Sequence, residues 1–599
     1  MFKTRNTQHL ALMAHDLTET AFLGVDHSLT GRRWIGPDPG LERIGDALAQ
    51  QTDLPLPVAR TLALRGVTDS ASANEFLAPT LRALLPDPRA LKDMEPAAAR
   101  LNSAAQGGRI AIFADYDVDG GSSAALLISW LRDLGQTVTL YVPDRVDEGY
   151  GPNVEAMEKL ARDHELIICV DCGTLSHEPI EAAKGADVIV LDHHLGGETL
   201  PPALAVVNPN RQDETGELGH LCAAAVVFLT LVEANRQRRD AGLPTPDLMN
   251  LLDLVALATV ADVAPLTGVN RAFVRQGLTV MARRERPGLA ALADVARLDS
   301  APTSYHLGYV LGPRINAGGR IGQADLGARL LSTADPHEAA ALSETLDRLN
   351  TDRREIEATV RDAALAQAED RGLDAPLVWA AADRWHPGVV GIVASRLKEA
   401  TNRPAIVIGF DGDVGKGSGR SVPGIDLGAA IQRLVAEGRI DKGGGHRMAA
   451  GLTLTRTQLE PAMARLSDLL ARQGASEIGP ADLPIAAMIM PGAAEVTLIE
   501  EIERCGPFGA GAPAPRFAFG DVVIGHARPV GSGHLKLRFG DGLGGSLDAI
   551  AFHVAGSPLM DALVNHAGGR FHLVGRLDIN TWQGRRTAQL HLEDAARAT

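Results

Sequence analysis

The chain has 599 residues, and its 74 Asp and Glu outnumber its 58 Lys and Arg, which gives a formal charge of −16 at pH 7. This charge excludes nucleic-acid binding through overall attraction, so any such binding requires a local basic surface or a bridging metal. Hydrophobic residues make up 45% and charged residues 22%, which is typical of a globular protein and excludes a disordered or collagen-like chain.

The N-terminal residues contain no continuous apolar core of a secretory signal, and the longest apolar run, at 221–232, is too short for a bilayer span of about 20 residues. Cys169 and Cys172 form a C-x-x-C pair, and the other cysteines are Cys222 and Cys505. No second pair has zinc-ligand spacing, and Cys169 lies in an apolar strand-like run. We therefore interpret the pair as structural and expect a reducing, cytoplasmic setting.

The pattern of apolar runs divides the chain into five segments. We predict an N-terminal helical and irregular segment at 1–95, an α/β domain at 96–335, a connecting helix at 336–371, a second α/β domain at 372–475, and a linker with a small β-barrel at 476–599.

Four short apolar runs in the first α/β domain alternate with helical stretches. They are RIAIFAD, TVTLYVPD, LIICVDCG and ADVIVLDHH. This alternation predicts a parallel sheet.

The later segments have different periodicities. Residues 336–371 carry apolar residues at spacings of three, four and seven, so we predict one helix on the order of 50 Å long that connects two domains. The second α/β domain contains the strand-like runs LVWAAA and AIVIGF. From about residue 520, five short β-type runs predict an OB-like barrel.

Acidic residues follow three of the four predicted strands of the first α/β domain. Asp115, Asp117 and Asp119 follow IAIF, Asp171 ends LIICV, and the sequence Asp-His-His at 192–194 follows VIVL. A further acid, Asp262, lies in a run that has a helical pattern. Ligands of an open parallel sheet bind beyond the carboxyl ends of its strands.

Converging carboxylates repel one another unless a cation binds between them. A lone Asp at a strand end is more often a helix cap, and the first cluster lacks the final Glu of a calcium-binding EF-hand loop. The four acidic elements together favour Mn²⁺ or Mg²⁺, and their number suits two ions for phosphoryl hydrolysis.

These motifs resemble a known family. DYDVDG, VDCG, LDHH and the aspartate of ATVADVAPL resemble the four motifs of the DHH phosphoesterase superfamily. GPRINAGGR at 312–320, WHPGVVGIVASRL at 385–397, GSGRSVPGIDL at 417–427, GGGHRMAAG at 443–451 and CGPFGAGAPAP at 505–515 resemble its RecJ exonuclease family. The implied fold is a DHH parallel-sheet domain, a long helix, a DHHA1 α/β domain and an OB-fold.

The resemblance implies a 5′→3′ exonuclease for single-stranded DNA that acts in recombination and repair. The implied ligands of two divalent ions, with Mn²⁺ preferred and Mg²⁺ possible, are Asp117, Asp119, Asp171, His193 and Asp262. Asp171 is the best candidate to bridge the ions, which would activate water for attack on phosphorus.

Three neighbouring residues have supporting roles in this hypothesis. His194 contacts the phosphate or completes a metal shell, and Asp192 holds a histidine tautomer. Asp115 either binds metal directly or orients its loop, and the sequence leaves both alternatives open.

A second set of residues is predicted to bind the phosphates of the substrate. Ser418 and Arg420 pair a hydroxyl with a guanidinium, which suits a terminal 5′ phosphate. His446 follows three glycines, which we interpret as a loop that approaches phosphate or as a plain turn. The remaining members of this set are Arg145, Arg314, Asn316 and Arg320. For Arg314 and Arg320 the alternative is a surface salt bridge.

The C-terminal region differs in charge from the rest of the chain. Residues 521–599 carry eight Arg and Lys against seven Asp and Glu, so their formal charge is +1 and that of the rest is −17. Arg576, Trp582, Arg585 and Arg586 provide cations and a stacking surface. We predict that they bind single-stranded DNA, although an ordinary solvated β-surface has the same composition.

Two other functions remain possible. One is a DHH phosphodiesterase for short oligonucleotides or cyclic dinucleotides, and the other is a non-catalytic replication scaffold with a DHH fold. The additional N-terminal and C-terminal regions argue against the first, and the complete acid set argues against the second. As partners the family implies a single-stranded-DNA-binding protein and a recombination helicase. We expect a monomer without membrane association.

Overall fold

The computed structural model of the chain describes residues 21–144, 148–479 and 481–598. Contacts between residues divide the chain into two compact units. One unit combines the described parts of Met1–Ala78, Gly479–Gly506 and Ala514–Thr599, and the other combines those of Pro79–Ile478 and Pro507–Pro513. Among the described helices, none has both the length and the hydropathy of a membrane span.

The N-terminal segment contains one short strand, β1 (Arg33–Ile35), and several helices. The helices are α1 (Pro39–Thr52), α2 (Leu56–Ala63), α3 (Ser70–Leu77), α4 (Leu81–Leu84) and α5 (Met94–Ala104). Asp38 caps α1 because its carboxylate accepts hydrogen bonds from the amides of Gly40 and Leu41. The segment is therefore mainly helical, with one strand that the sequence pattern did not indicate.

The first α/β domain is built on five strands and the helices that connect and follow them. The strands are β2 (Ile110–Ala114), β3 (Val138–Tyr141), β4 (Leu166–Val170), β5 (Asp187–Leu191) and β6 (Ala205–Val207). The helices are α6 (Val118–Asp133), α7 (Val154–Asp163), α8 (His177–Ala182), α9 (Ala223–Asp240), α10 (Leu252–Ala261), α11 (Val269–Met281), α12 (Pro287–Val295), α13 (Gly312–Ile321) and α14 (Leu326–Ser332).

All pairings in this sheet are parallel, and the strand order is β3-β2-β4-β5-β6. The central strands β2 and β4 are buried along their whole length, which explains why their sequences are continuous apolar runs. The predicted parallel sheet is confirmed. The fifth strand, β6, was not predicted because three residues are too few to give a periodic signal.

Residues 336–371 form one helix, α15 (Pro336–Arg371), as predicted. Its 36 residues correspond to about 54 Å at 1.5 Å per residue. Leu342 and Leu346 pack in the hydrophobic core of the first α/β domain. Val360, Ala364 and Ala368 pack in a separate cluster that belongs to the second domain. The helix therefore contributes to two cores.

The second α/β domain has a five-stranded mixed sheet with the order β10-β11-β9-β8-β7. Its strands are β7 (Val378–Asp383), β8 (Ala405–Asp411), β9 (Val414–Arg420), β10 (Lys442–His446) and β11 (Ala449–Thr455), and its helices are α16 (Pro387–Thr401), α17 (Leu427–Ala436) and α18 (Arg456–Ala471). Only β7 and β8 were indicated by apolar runs. The interpretation of the three glycines before His446 as a loop or turn was wrong, because they lie in β10 and pair with β11.

The C-terminal region is a closed barrel of five long strands. The strands of the region are β12 (Asp482–Pro484), β13 (Ala487–Met488), β14 (Phe517–Val530), β15 (His534–Gly540), β16 (Ser546–Ala551), β17 (Arg570–Trp582) and β18 (Arg585–Arg597), and its helices are α19 (Val496–Glu503) and α20 (Pro558–Val564). The pairing of β14 with β17 closes the barrel. The prediction of a five-stranded OB-like barrel is confirmed.

The N-terminal strand belongs with the C-terminal region. β1 pairs in parallel with β12, and the buried Trp34 donates its indole hydrogen bond to Asp594 at 2.9 Å. Sequence periodicity did not indicate this association because the paired segments are about 450 residues apart in the chain.

The four cysteines are buried, and none of them forms a disulfide bond. Burial raises the pKa of the Cys169 thiol, which disfavours the thiolate that binds zinc. No cysteine belongs to a potential metal-binding group within the described residues. These observations agree with a structural role for the C-x-x-C pair.

Candidate metal centre at the carboxyl edge of the parallel sheet

The loops that follow β2, β4 and β5 bring the predicted acids together. Asp115 and Asp117 follow β2, Asp171 follows β4, and His193 lies in the loop after β5. Asp262 ends α10 as its C-terminal capping residue. Because the three strands are adjacent and parallel, their carboxyl ends meet at one edge of the sheet.

The loop after β2 turns directly into helix α6. Asp117 caps the helix, since its Oδ1 accepts hydrogen bonds from the amides of Asp119 at 2.9 Å and Gly120 at 3.1 Å. A Cβ on Gly120 would lie 2.4 Å from the Asp115 carbonyl oxygen. A glycine is therefore required at position 120, where the helix closely approaches the end of the strand.

Asp119 belongs to α6, and its buried carboxylate lies at the N-terminus of a second helix, α9. Its two carboxylate oxygens accept hydrogen bonds from the amides of Ala223 at 2.7 Å and Ala224 at 2.8 Å. These amides form the N-terminus of α9, whose dipole favours a negative charge. The side chain is thus held in one orientation, although burial raises the pKa of Asp119.

The predicted ligands form three overlapping groups whose donor atoms lie within 4.8 Å of one another. The groups are Asp115, Asp117 and Asp171; Asp171, His193 and His194; and Asp119, His193 and Asp262. His193 Nε2 lies 3.3 Å from Asp171 and 3.7 Å from both Asp119 and Asp262. Asp171 belongs to the first two groups and His193 to the last two, so these two residues link all three groups.

Asp171 has the most unfavourable environment for an isolated charge. Within the described residues, its Oδ1 is buried and accepts no hydrogen bond. Burial, followed by the charges of Asp119, Asp117, Asp115 and Asp262, raises its pKa well above the ordinary value. Its backbone φ of 60° is left-handed, a conformation that often occurs at functional sites.

These features test whether the site fits a divalent cation. Burial also raises the pKa of Asp262, to about 8, and the charge of Asp119 adds to this effect. A cation between these carboxylates would remove the repulsion and would bind Asp171 Oδ1, which accepts no hydrogen bond from the described residues. Five carboxylates and the His193 imidazole are donors suited to Mn²⁺ or Mg²⁺. The residues present therefore fit the predicted metal.

His194 differs from His193 because it has its own carboxylate partner. Its Nδ1 lies 2.8 Å from Asp192 Oδ1. Burial alone would lower the pKa of His194, but the hydrogen bond and charge of Asp192 outweigh burial and raise the pKa to about 9. Asp192 in turn accepts a hydrogen bond from the Thr174 hydroxyl at 2.6 Å. Asp192 therefore favours the protonated form of His194.

Sequence reasoning missed Tyr150 and the polar residues after β6. The Tyr150 hydroxyl donates to the Asp171 carbonyl at 3.0 Å and lies 3.1 Å from His194 Nε2. Asn208 and Asn210 donate to the carbonyls of His194 and His193. The signal for the asparagines was the NPN that follows ALAVV, a polar strand end like the others.

The predicted phosphate ligands near α13 have partners inside the protein. Arg314 forms an ion pair with Asp347 at 2.8 Å, and Arg320 donates to the Gly388 carbonyl at 3.1 Å. Asn316 accepts a hydrogen bond from the Val118 amide at 3.0 Å. For Arg314 the geometry matches the salt-bridge alternative.

The second α/β domain places its predicted phosphate ligands on strands. Arg420 donates to the Ser418 hydroxyl at 3.1 Å, and both residues lie on β9. A Cβ on Gly391 of α16 would lie 3.1 Å from Ser418 Oγ, so a small residue is needed there. His446 is exposed at the end of β10, and Arg145 lies outside the described residues.

The predicted DNA-binding residues of the barrel lie on the β17–β18 hairpin. Trp582 is 71% exposed and pairs in register with Arg585. Arg586 forms an ion pair with Glu500 at 2.7 Å, and Arg576 forms one with Glu593 at 2.5 Å. Two of the three arginines therefore have their charge balanced within the protein.

Three family profiles match consecutive parts of the chain. The profile described as the DHH family, N-terminal domain, matches residues 109–259. The DHHA1 domain matches residues 374–472, and the RecJ OB domain matches residues 485–594.

Curated relatives match nearly the whole chain. The single-stranded-DNA-specific exonuclease RecJ of Dickeya dadantii is 39% identical over 565 residues, which cover 90% of this chain and 96% of the relative. The RecJ of Escherichia coli is 36% identical over 563 residues, with the same coverage.

Solved structures agree with these matches. RecJ of Thermus thermophilus in complex with Mn²⁺ has a TM-score of 0.77 at 30% identity, covering 94% of this chain and 79% of that one. Its complex with Mg²⁺ has a TM-score of 0.71 at 29% identity, covering 94% and 78%. The chain therefore belongs to the RecJ family of DHH proteins.

Proposed function

We propose that this chain is a metal-dependent exonuclease that degrades single-stranded DNA from the 5′ end. The observation that carries the proposal is the complete ligand set around Asp171 in a chain that spans 96% of a curated single-stranded-DNA-specific exonuclease. Recombination and repair are the processes that need such an activity, as the family resemblance implies.

The metal-binding groups support two divalent ions. We assign Asp115, Asp117 and Asp171 to one ion and Asp119, His193 and Asp262 to the other, with Asp171 shared. When bound, such a pair of ions would supply a nucleophile at neutral pH and would neutralise charge on the attacking and leaving oxygens. Mn²⁺ is the better fit of the two candidate ions because His193 adds a nitrogen donor.

The protein residues around the ions have separate tasks. Asp119 is fixed by the start of α9 and cannot turn away from the centre. Asp192 favours the protonated form of His194, so His194 can donate a hydrogen bond to a non-bridging phosphate oxygen. The Tyr150 hydroxyl fixes the backbone of Asp171 by donating a hydrogen bond to the Asp171 carbonyl.

Recognition of the 5′ end is assigned to the second α/β domain. Ser418 and Arg420 present a hydroxyl and a guanidinium from one strand, a combination that suits a terminal phosphate. Arg145, outside the described residues, and the exposed His446 complete the proposed set. Arg314, Asn316 and Arg320 are proposed to contribute to phosphate binding from their packed positions.

We further propose domain boundaries at residues 95, 335, 371 and 475. We assign the binding of the incoming strand to the C-terminal barrel. We also propose that the active form is a monomer. A single-stranded-DNA-binding protein and a helicase would supply the substrate. The four cysteines form no disulfide bond, which supports a reducing, cytoplasmic location.

Digestion of end-labelled DNA tests the proposal. A long strand labelled at its 5′ or 3′ end would be digested in Mn²⁺ or Mg²⁺, with and without a 5′ phosphate, beside the matched duplex and a dinucleotide. We expect early release of the 5′ label from the single strand. Preferred hydrolysis of the dinucleotide would favour the small-substrate phosphodiesterase, and no hydrolysis with either metal would favour the scaffold.

A further inference from the structure

Two exposed tyrosines stack on each other in the segment before α13. The rings of Tyr305 and Tyr309 have centroids 5.1 Å apart and planes inclined by 25°. Tyr305 is 64% exposed and Tyr309 is 73% exposed. Large aromatic rings are normally buried or used for contacts, so a stacked exposed pair needs an explanation.

The segment that carries this pair borders the metal centre. It contains a stretch of π-helix, His306–Leu311, which is a rare form that occurs frequently at functional sites. A Cβ on Gly308 would lie 3.4 Å from Val260, and one on Gly312 would lie 3.3 Å from Ala261. The segment therefore packs on the end of α10 that leads directly into Asp262.

The same segment continues to the first metal-binding loop. A Cβ on Gly312 would also lie 3.9 Å from Val118, the residue between Asp117 and Asp119. The side chain of Asn316, one turn further along α13, accepts a hydrogen bond from the Val118 amide. Thus one continuous stretch of chain carries the tyrosines and contacts residues next to three of the assigned metal ligands.

Val263 adds an exposed apolar side chain immediately after Asp262. It has φ 60° and is 69% exposed. Its amide donates to Val260 and the next amide, of Ala264, donates to Thr259, so Val263 occupies the left-handed position at a helix end where glycine is favoured. A β-branched residue is strained in this conformation. Residues held in such sparsely populated conformations cluster at functional sites.

We propose that Tyr305, Tyr309 and Val263 form a stacking platform for the bases of the single strand beside the metal centre. This inference rests on the proposed nuclease function. The platform offers flat and apolar surface, which suits bases of any sequence and does not suit phosphate. Each stacked base should contribute about 5- to 150-fold to affinity, which corresponds to about 1–3 kcal/mol.

Binding to strands with missing bases tests the platform separately from hydrolysis. A 5′-phosphorylated oligothymidylate and strands with one abasic residue at successive positions would be titrated in EDTA, which prevents cleavage. The proteins would be wild type, Tyr305→Ala/Tyr309→Ala, Tyr305→Phe/Tyr309→Phe and Leu243→Ala, an exposed apolar control after α9. Circular dichroism and Mn²⁺ binding would show that each variant is folded.

We expect the double alanine variant to lose at least about fivefold in affinity for the intact strand and to become insensitive to abasic residues near the 5′ end. The phenylalanine and Leu243→Ala variants should bind like wild type. Equal losses on intact and abasic strands, or no loss, would overturn the platform while leaving the nuclease proposal intact. A wild-type protein that binds no single strand would overturn both.

Discussion

Asp171 Oδ1 lies 3.3 Å from His193 Nε2, and this pair connects carboxylates from opposite sides of the candidate metal centre. Asp171 follows β4 and His193 follows β5, two adjacent parallel strands. The contact is therefore a direct consequence of strand order. It makes Asp171 the residue whose loss should affect both proposed ions.

Replacement of Asp171 by Asn should abolish hydrolysis without unfolding the protein. We expect activity to fall by about 10³-fold or more, because bound metal supplies several kcal/mol of transition-state stabilisation. In EDTA the variant should melt at a higher temperature than wild type, since one of the mutually repelling buried carboxylates has lost its charge. Thermal melting and digestion of a labelled strand measure the two effects.

The matched control for this change is Asp163→Asn, at the exposed end of α7. It should leave both the activity and the metal-free melting temperature unchanged. Normal turnover by a folded Asp171→Asn protein would refute the shared-ligand assignment.

Replacement of His193 by Asp should change the metal preference. Wild type should reach half of its activity at a lower concentration of Mn²⁺ than of Mg²⁺, because an imidazole ligand favours the softer ion. The variant offers oxygen in place of nitrogen, so the two concentrations should move closer together. His337→Asp, on an exposed turn of α15, is the control. Equal requirements for the two ions in wild type would argue against His193 as a ligand.

Replacement of Tyr150 by Phe should reduce activity by about 10–100-fold, the usual effect of losing a group that orients metal ligands. The hydroxyl fixes the Asp171 carbonyl and contacts His194, and Phe retains the ring. Activity and Mn²⁺ affinity would be measured together. If both are unchanged, the hydroxyl has no part in positioning these ligands.

Replacement of Arg420 by Ala should reduce the preference for 5′-phosphorylated ends. Hydrogen bonds to a charged group contribute about 1.5–3 kcal/mol, or about 10- to 150-fold in kcat/KM. The ratio of kcat/KM for phosphorylated and unphosphorylated strands measures this preference. Arg472→Ala, at the exposed end of α18, removes a charge that lies outside β9 and should keep the ratio. An equal loss on both substrates would place Arg420 elsewhere along the DNA.

The barrel arginines should contribute unequally to DNA binding. Arg586 is paired with Glu500, so Arg585→Ala should reduce affinity and flatten the salt dependence more than Arg586→Ala. Each phosphate contact on a single strand releases about 0.7 of a counterion. Trp582→Ala should weaken binding without changing the salt slope, because base stacking releases no ions. A salt titration of binding in EDTA measures both quantities.

These three variants should retain wild-type turnover at saturating DNA, because the barrel has no proposed part in the chemistry. A collapse of saturated turnover with binding intact would contradict the proposed role of the barrel. Identical salt slopes for all three variants and wild type would show that the hairpin does not contact phosphate.

Local patterns in the sequence determined several parts of this protein. Continuous apolar runs predicted β2, β4 and β5 because buried parallel strands are apolar on both faces. A similar run predicted β3, which lies at the edge of the sheet and is only partly buried. The period of the apolar residues predicted α15 from residue 336 to 371. The acids predicted for the metal centre do lie together, because parallel strands direct their carboxyl ends to one edge.

Only the tertiary structure decided which distant residues meet. The carboxylate of Asp119 accepts hydrogen bonds from two amides more than 100 residues further along the chain. Strand β1 pairs with β12, which lies about 450 residues further along the chain. The strands β9 and β10 carry glycines in place of apolar residues, so pairing with β11 and not periodicity makes them strands. Such contacts depend on long-range packing, which leaves no local pattern to read.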